Sequence, residues 1–140
     1  MIDRTSEGRA VLCGSIVDSE ALLLRWDDPA AQWGLGVFET IAVRDADPRN
    51  LDEHLRRLSD AAGRFGVPLP AADEILRAVR LVAEGVAIGR RWLKIVVSRS
   101  GRWAVFAGPI DPADEGKAIS AVVLPWRRHR LDPTAGIKSV

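Results

Sequence analysis

Short apolar stretches separated by turn residues recur along the chain, and the spacing within them predicts strands. In two of these stretches successive side chains alternate between two faces, and one face of each predicted strand is largely apolar. In the first, that face carries Val37, Glu39, Ile41 and Val43. In the second, it carries Leu93, Ile95 and Val97, with Arg99 at the end of the row. Further strands or hairpins are predicted over 10–17, 103–107 and 118–124, and another apolar run over 21–26 stops at Asp27-Asp28-Pro29.

Between the two alternating stretches the apolar period becomes helical. One predicted helix has an apolar stripe formed by Leu51, Leu55, Leu58, Ala62 and Phe65. Gly66 supplies its C-terminal stop, and Pro68 prevents continuation. A second helix opens over 70–74, and its buried side is predicted to carry Ile75, Val79, Val82 and Val86. Strands and helices in this order predict an α+β fold with a mainly antiparallel sheet and two helices.

The segment 108–116, rich in proline and acidic residues, is interpreted as a linker. It divides the chain into a small N-terminal α+β domain, residues 1–115, and residues 116–140, the start of a truncated second domain whose first strand would be 118–124. The total of 140 residues favours one domain plus a fragment over two full domains.

Composition narrows the function classes. The net charge of +1 argues against a nucleic-acid or anionic-membrane role, and the basic run Arg127–Arg130 is interpreted as a solvated turn. Cys13 is the single cysteine, so no internal disulfide can form and a cytoplasmic location is expected. No secretory leader or run of eighteen apolar residues is found, and the histidines and cysteine lack zinc-site spacing.

Two residues stand out as candidates for chemistry. Glu39 lies among aliphatic neighbours, where a carboxylate needs either a partner or a strand end that reaches water. Lys138 is one of three lysines among 20 basic residues, and a lysine amine, unlike a guanidinium, can lose its proton and attack a carbonyl. The alternative for Lys138 is an ordinary solvated lysine. His54 and Arg57 lie three residues apart on the first predicted helix, and the alternative for this pair is a solvated helix face.

Four stretches, taken together and in order, resemble the N-terminal half of the fold-type IV pyridoxal-phosphate enzymes, or class IV aminotransferases. This family includes D-amino-acid and branched-chain aminotransferases and aminodeoxychorismate lyase. The stretches are Gly36-Val37-Phe38-Glu39-Thr40, His54-Leu55-Arg56-Arg57-Leu58, Leu93-Lys94-Ile95-Val96-Val97-Ser98-Arg99 and Ala135-Gly136-Ile137-Lys138-Ser139. The resemblance implies pyridoxal phosphate as cofactor, amino acids and 2-oxo acids as substrates, and a homodimer for the complete protein.

The resemblance also implies roles for individual residues. Lys138 matches the lysine that forms a Schiff base with the cofactor and shuttles the substrate's α-proton. Arg57 matches the arginine that grips the cofactor phosphate. Arg99 matches an arginine that meets the substrate carboxylate in some members, while Phe38 and Glu39 match positions that line the site. His54 is interpreted as structural, orienting the helix that presents Arg57.

The sequence departs from the family pattern in ways that leave the reaction open. Leu35 stands where the family usually has aspartate, and Ser100 precedes Gly101 where glycine often follows the arginine directly. The partner of the pyridine nitrogen comes after the lysine in the family. Amino-group transfer is the main interpretation, because Glu39 stands in a Phe-Glu-Thr context. The alternatives are a lyase that releases pyruvate and a truncated, non-catalytic remnant that binds a partner chain, and we expect the 140-residue chain to be inactive alone.

Overall fold

A single antiparallel sheet forms the frame of the protein. A computed structural model describes residues 10–18, 24–85, 89–110, 116–123, 125 and 137–139. In chain order the elements are β1 (Ala10–Leu12), β2 (Ser15–Val17), α1 (Pro29–Trp33), β3 (Gly36–Arg44), β4 (Asp47–Pro48), α2 (Leu51–Phe65), α3 (Ala72–Gly85), β5 (Arg90–Ser98) and β6 (Trp103–Pro109). The strand order is β2-β1-β6-β5-β3-β4, and every pairing is antiparallel. The predicted α+β class is confirmed.

The core lies between one face of this sheet and the helices α2 and α3. β3 and β5 pair over their full lengths, from Gly36 opposite Ser98 to Arg44 opposite Arg90. The alternation predicted for both strands is confirmed, because the residues on their inner face are almost completely buried. Those residues pack with apolar side chains of the helices and of β6. The core that they form together includes Val37, Ile41, Leu58, Val79, Val82, Leu93, Ile95, Val97 and Val105.

The two long helices have the predicted positions. α2 follows Asn50, which has a left-handed φ of 50°, and ends before Gly66, whose φ is 65°. The Gly66 amide donates to the Ala62 carbonyl, closing the helix as a C-terminal glycine does. α3 carries two acidic residues in its first turn, Asp73 and Glu74, which suit the positive end of the helix dipole. Val86 lies outside the described residues.

Two short elements were missed by the sequence pattern. α1 has only five residues, too few for a helical period to show. Its local signals are nevertheless present: Asp28 caps the helix by accepting from the Ala30 amide at 2.8 Å, and Pro29 occupies the first turn. β4 is a two-residue strand that pairs only with Val43 and Arg44 at the end of β3.

The strand predicted over 118–124 is not formed in the described residues 116–123, which carry no helix or strand. Ile119, Val122 and Val123 are 87%, 83% and 96% exposed. A strand needs a neighbour for its backbone groups, and this segment pairs with none of the described strands. β6 runs on to Pro109, two residues past the predicted end of the strand at residue 107. The runs over 21–23 and 111–115 and the basic run 127–130 lie outside the described residues, and the division at 115/116 stays a prediction.

Candidate functional site

The site forms at an open edge of β3. One edge of this strand is paired with β5, whereas β4 covers the other edge only at its far end. Nearer its start, the open edge is met by residues 137–139. Val37 forms an antiparallel bridge with Ser139, and the Phe38 amide donates to the Lys138 carbonyl at 3.1 Å. This backbone pairing places Lys138 beside Phe38 and Glu39, although about one hundred residues separate them in sequence.

A buried carboxylate sits at the centre of the site. Glu39 points to the inner face of the sheet and is 3% exposed. Its two oxygens accept from the Arg57 guanidinium, with Nε 3.2 Å from Oε1 and Nη2 2.5 Å from Oε2. His54 Nδ1 lies 2.7 Å from the same Oε2, so that it carries a proton when it meets the ionised carboxylate. Both donors come from one face of α2, three residues apart.

The charges around Glu39 set its ionisation. Burial acts to raise the pKa of this carboxyl group, but hydrogen bonds from Arg57 and His54 and the attraction of Arg57 and Lys138 outweigh it. The pKa of Glu39 therefore lies below its ordinary value, and the group is ionised at neutral pH. The same bonds raise the pKa of Arg57. Of the two alternatives for Glu39, the structure shows a partnered carboxylate and excludes one that reaches water.

A cavity of about 410 Å³ opens next to this carboxylate, lined by Glu39, Arg57, Asp60, Ala61, Arg64 and Lys138. The Arg57 side chain is 47% exposed, and its Nη1 is not used by Glu39. The Lys138 amine lies 5.0 Å from the centre of the Phe38 ring. Lys138, on a chain segment at the sheet edge, and Arg57, on a helix, thus line one cavity.

Most of the site residues predicted from sequence come together here, with one exception. Glu39, Arg57 and Lys138 line the cavity, and Phe38 contacts the Lys138 segment at its margin. Arg99 does not line it. This residue follows the end of β5, is exposed, and its backbone amide donates to the Leu35 carbonyl at 2.9 Å.

Two further side-chain contacts, one beside Phe38 and one away from the cavity, carry no sequence signal of their own. Lys94 on β5 places its amine 4.3 Å from the centre of the same Phe38 ring, a contact that only strand register reveals. Away from the cavity, the buried Asp28 carboxylate accepts hydrogen bonds from the hydroxyls of Ser98 and Ser100. Burial would raise the pKa of Asp28, but these bonds, the Ala30 amide and the charge of Arg102 lower it.

The described ranges contain neither a metal-binding cluster nor a membrane-spanning helix. No group of three or more histidine, cysteine, aspartate or glutamate side chains there is arranged to hold a metal ion. None of the described helices combines the length and apolar character needed to cross a bilayer.

Sequence comparison matches this chain to one protein family and to two curated relatives described below. The sequence model of the amino-transferase class IV family matches residues 36–140. A bifunctional aminodeoxychorismate lyase / D-amino acid transaminase of Mycobacterium tuberculosis is 38% identical over 73 residues, which are 52% of this chain and 25% of that protein. A chloroplastic D-amino-acid transaminase of Arabidopsis thaliana is 29% identical over 102 residues, 73% of this chain and 26% of that protein. The chain thus spans about a quarter of the length of these curated relatives.

Solved structures agree with these sequence matches. A hypothetical aminotransferase from Mycobacterium tuberculosis, in its PLP-bound form, superposes with a TM-score of 0.67 at 28% identity, covering 76% of this chain and 41% of that one. The branched-chain amino acid aminotransferase of Escherichia coli has a TM-score of 0.78 at 22% identity, covering 94% of this chain and 51% of that one, and shows the shared fold. Because the family match runs from β3 to the segment that carries Lys138, the chain belongs to the amino-transferase class IV family.

Proposed function

We propose that this chain is the part of a pyridoxal-phosphate-dependent aminotransferase that carries the cofactor lysine, and that the enzyme moves an amino group between an amino acid and a 2-oxo acid. The observation that carries the proposal is the shared cavity of Arg57 and Lys138. These are the two groups that an aldehyde bearing a phosphate requires, an amine and a permanent cation. The complete enzyme is proposed to be a cytoplasmic homodimer.

Arg57 is the proposed phosphate-binding residue. Its guanidinium stays charged at any working pH, Glu39 does not use its Nη1, and the residue lines the cavity. Glu39 uses the other edge of the guanidinium and thereby orients it, so that the long side chain does not have to be ordered when the phosphate binds. In this proposal Glu39 serves as a positioning residue for Arg57, and His54 holds Glu39 in turn. The Glu39 carboxylate, which the sequence predicted to line the substrate site, is engaged by hydrogen bonds from Arg57 and His54.

Lys138 is the proposed attachment point for the cofactor aldehyde and the base that takes and returns the proton at the substrate's α-carbon. Bound pyridoxal phosphate supplies an electron sink for the charge that develops at that carbon. The backbone bond from Phe38 holds the Lys138 segment against the sheet, and the Phe38 ring limits where its amine can lie. The Lys138 segment is therefore held at the edge of β3, next to the cavity that Lys138 lines.

Trapping experiments test the role of Lys138. The chain is incubated with pyridoxal phosphate and reduced with borohydride, and the modified lysine is identified by peptide mass spectrometry. We expect the label at Lys138, and its loss in Lys138→Arg but not in the control Lys117→Arg. Equal labelling of Lys94, Lys117 and Lys138 would show that the amine has no special role and would overturn the proposal.

A matched pair of ligands tests the role of Arg57. In Arg57→Lys the affinity for pyridoxal phosphate should fall about tenfold or more, since a forked charge-assisted contact is lost. The affinity for pyridoxal, which lacks the phosphate, should not change. Lysine in place of Arg57 keeps a partner for Glu39, so that folding is not the variable tested. Equal losses for both ligands would remove Arg57 from phosphate binding.

A second reaction is supported by one comparison. The bifunctional Mycobacterium tuberculosis relative is named both a lyase and a transaminase. An enzyme with this site could therefore eliminate pyruvate from aminodeoxychorismate instead of transferring an amino group. The two are separated by supplying each substrate to the full-length enzyme and measuring either pyruvate release or the conversion of a 2-oxo acid into an amino acid. If neither reaction is found, the third alternative, a non-catalytic partner-binding chain, is favoured.

A further inference from the structure

A second lysine, on the outer face of the sheet, shares the Phe38 ring with the Lys138 amine. Lys94 in β5 stands opposite Thr40 in β3 and opposite Phe106 in β6. Phe38 is two residues along β3 from Thr40 and therefore projects from the same face. The Lys94 and Lys138 amines lie 4.3 and 5.0 Å from the centre of the Phe38 ring, both within cation–π distance.

No carboxylate compensates Lys94 within the ranges that the structure describes. It takes part in none of the ion pairs found there. Its neighbours on this face are aromatic, aliphatic or hydroxyl-bearing, namely Phe38, Thr40, Ala42, Trp92, Val96 and Phe106. Glu39 projects from the opposite face, and its oxygens are engaged by Arg57 and His54. A ring quadrupole compensates a cation only weakly, and the Lys138 charge also interacts with Glu39, so that the Lys94 ammonium is the cation left to bind an anion.

We propose that Lys94 binds the carboxylate of the amino acid or 2-oxo acid substrate, an inference that rests on the proposed function. When the cofactor uses the Lys138 amine, Lys94 is the cation that remains at the Phe38 ring. The exposed Thr40 hydroxyl next to it offers a further donor. The two anions of the reaction then go to separate cations, with the phosphate at Arg57 on α2 and the carboxylate at Lys94 on β5.

This division differs from the expectation based on sequence, in which Arg99 meets the carboxylate. Arg99 lies beyond the end of β5 and, like Lys94, is not among the residues that line the cavity. Lys94 shares an aromatic ring with the reacting amine, whereas no contact links Arg99 to Phe38 or Lys138 among the described residues. Proximity to the reacting centre therefore favours Lys94.

Titration of the chain with 2-oxoglutarate tests the proposal, with the backbone amide of Phe38 as the NMR reporter. We expect saturable binding that weakens about tenfold or more in Lys94→Met, because a charge-assisted contact is lost. Lys94→Arg should bind within about threefold of the wild type, since the cation is kept. Lys117→Met should bind as the wild type does. Dispersed amide spectra of each variant show that it is folded.

The outcomes separate this inference from the proposed function. If Lys94→Met binds 2-oxoglutarate as tightly as the wild type, or if the wild type does not bind it, the inference is overturned. If Lys94→Met instead loses affinity for pyridoxal phosphate and keeps that for 2-oxoglutarate, Lys94 belongs to the phosphate and the inference also fails. Borohydride labelling of Lys138 is a separate readout, so its absence would overturn the proposed function without bearing on carboxylate binding.

Discussion

At the scale of single residues, Glu39 explains how a charge is tolerated in the core. The side chain is 3% exposed, yet both oxygens are satisfied by Arg57 and His54. A buried carboxylate without partners would be costly, and removing one partner is far more damaging than the pair itself is stabilising. The hydrogen bonds from Arg57 and His54 to Glu39 therefore fix the position of α2 relative to β3.

Removing Arg57 should reveal this dependence. Arg57→Ala leaves Glu39 buried with His54 as its remaining partner, and we expect a loss of about 1–3 kcal/mol in the free energy of unfolding, measured in urea. Arg56 on the same helix makes only exposed ion pairs with Glu53 and Asp60, with its own side chain 61% exposed. Arg56→Ala should change stability by less than about 0.5 kcal/mol. Equal effects of the two substitutions would contradict a buried pair.

Glu39 should also make stability depend on pH. Because its pKa is lower in the folded state, the unfolded state binds more protons between the two pKa values, and stability rises with pH there. The contribution is complete above the ordinary glutamate pKa of about 4.3 and is lost as the pH falls through the lowered value. Urea unfolding at several pH values between about 3 and 7 should show a shallower acid slope for Glu39→Gln. The pKa of Glu53 is also lowered, chiefly by its hydrogen bond from Arg56, but this ion pair is exposed and screened by solvent, so Glu53→Gln should change the slope less than Glu39→Gln does.

At the scale of elements, the sheet depends on close approach between β5 and β6. Gly108 in β6 stands opposite Trp92 in β5, and a Cβ added at Gly108 would lie 2.3 Å from the indole atom Cζ2. Trp92 packs edge to face against Phe106, with ring centres 5.9 Å apart, so the indole has a neighbour to displace if it moves. A glycine at this position lets the outer face of the sheet carry large aromatic side chains.

Two alanine substitutions at glycine should therefore have opposite signs. Gly108→Ala forces Trp92 aside, and we expect a destabilisation of about 1–3 kcal/mol. Gly63 lies within α2, where an added Cβ meets nothing within 4 Å. Gly63→Ala should stabilise the protein by about 0.5–1 kcal/mol through helix propensity. Thermal and urea unfolding measure both, and a neutral Gly108→Ala would show that the indole moves freely.

At the scale of the whole molecule, residues 118–123 are largely apolar and pair with none of the described strands. Val122 and Val123 are almost fully exposed, although this run was predicted to be a strand. Exposed apolar chain with β-branched residues tends to pair with other chains.

Charged substitutions in this segment should separate stability from association. Val122→Lys with Val123→Lys removes no buried contact, so the free energy of unfolding should change by less than about 0.5 kcal/mol. Self-association, measured by light scattering over a concentration series, should decrease. A large loss of stability would mean that the two valines are buried in solution. The same pair of changes at the buried Val79 and Val82 would unfold the protein and serves as the contrast.

The amino-acid sequence by itself determined the elements whose signals are local. The alternation in β3 and β5, the stripe of α2 and its stop at Gly66 follow from which side chains can be buried and which backbone angles glycine allows. The site residues Arg57 and Lys138 were named because their stretches resemble a family, and the family is confirmed.

Only the tertiary structure decided which of these residues meet. The pairing of Ser139 with Val37, the partners of Glu39 and the contact of Lys94 with the Phe38 ring all join positions distant in sequence. The same level of structure left 118–123 without a partner among the strands that the structure describes. Local patterns record what a segment can bury or turn, whereas strand register and sheet edges depend on how the whole chain folds, because backbone pairing needs a second segment.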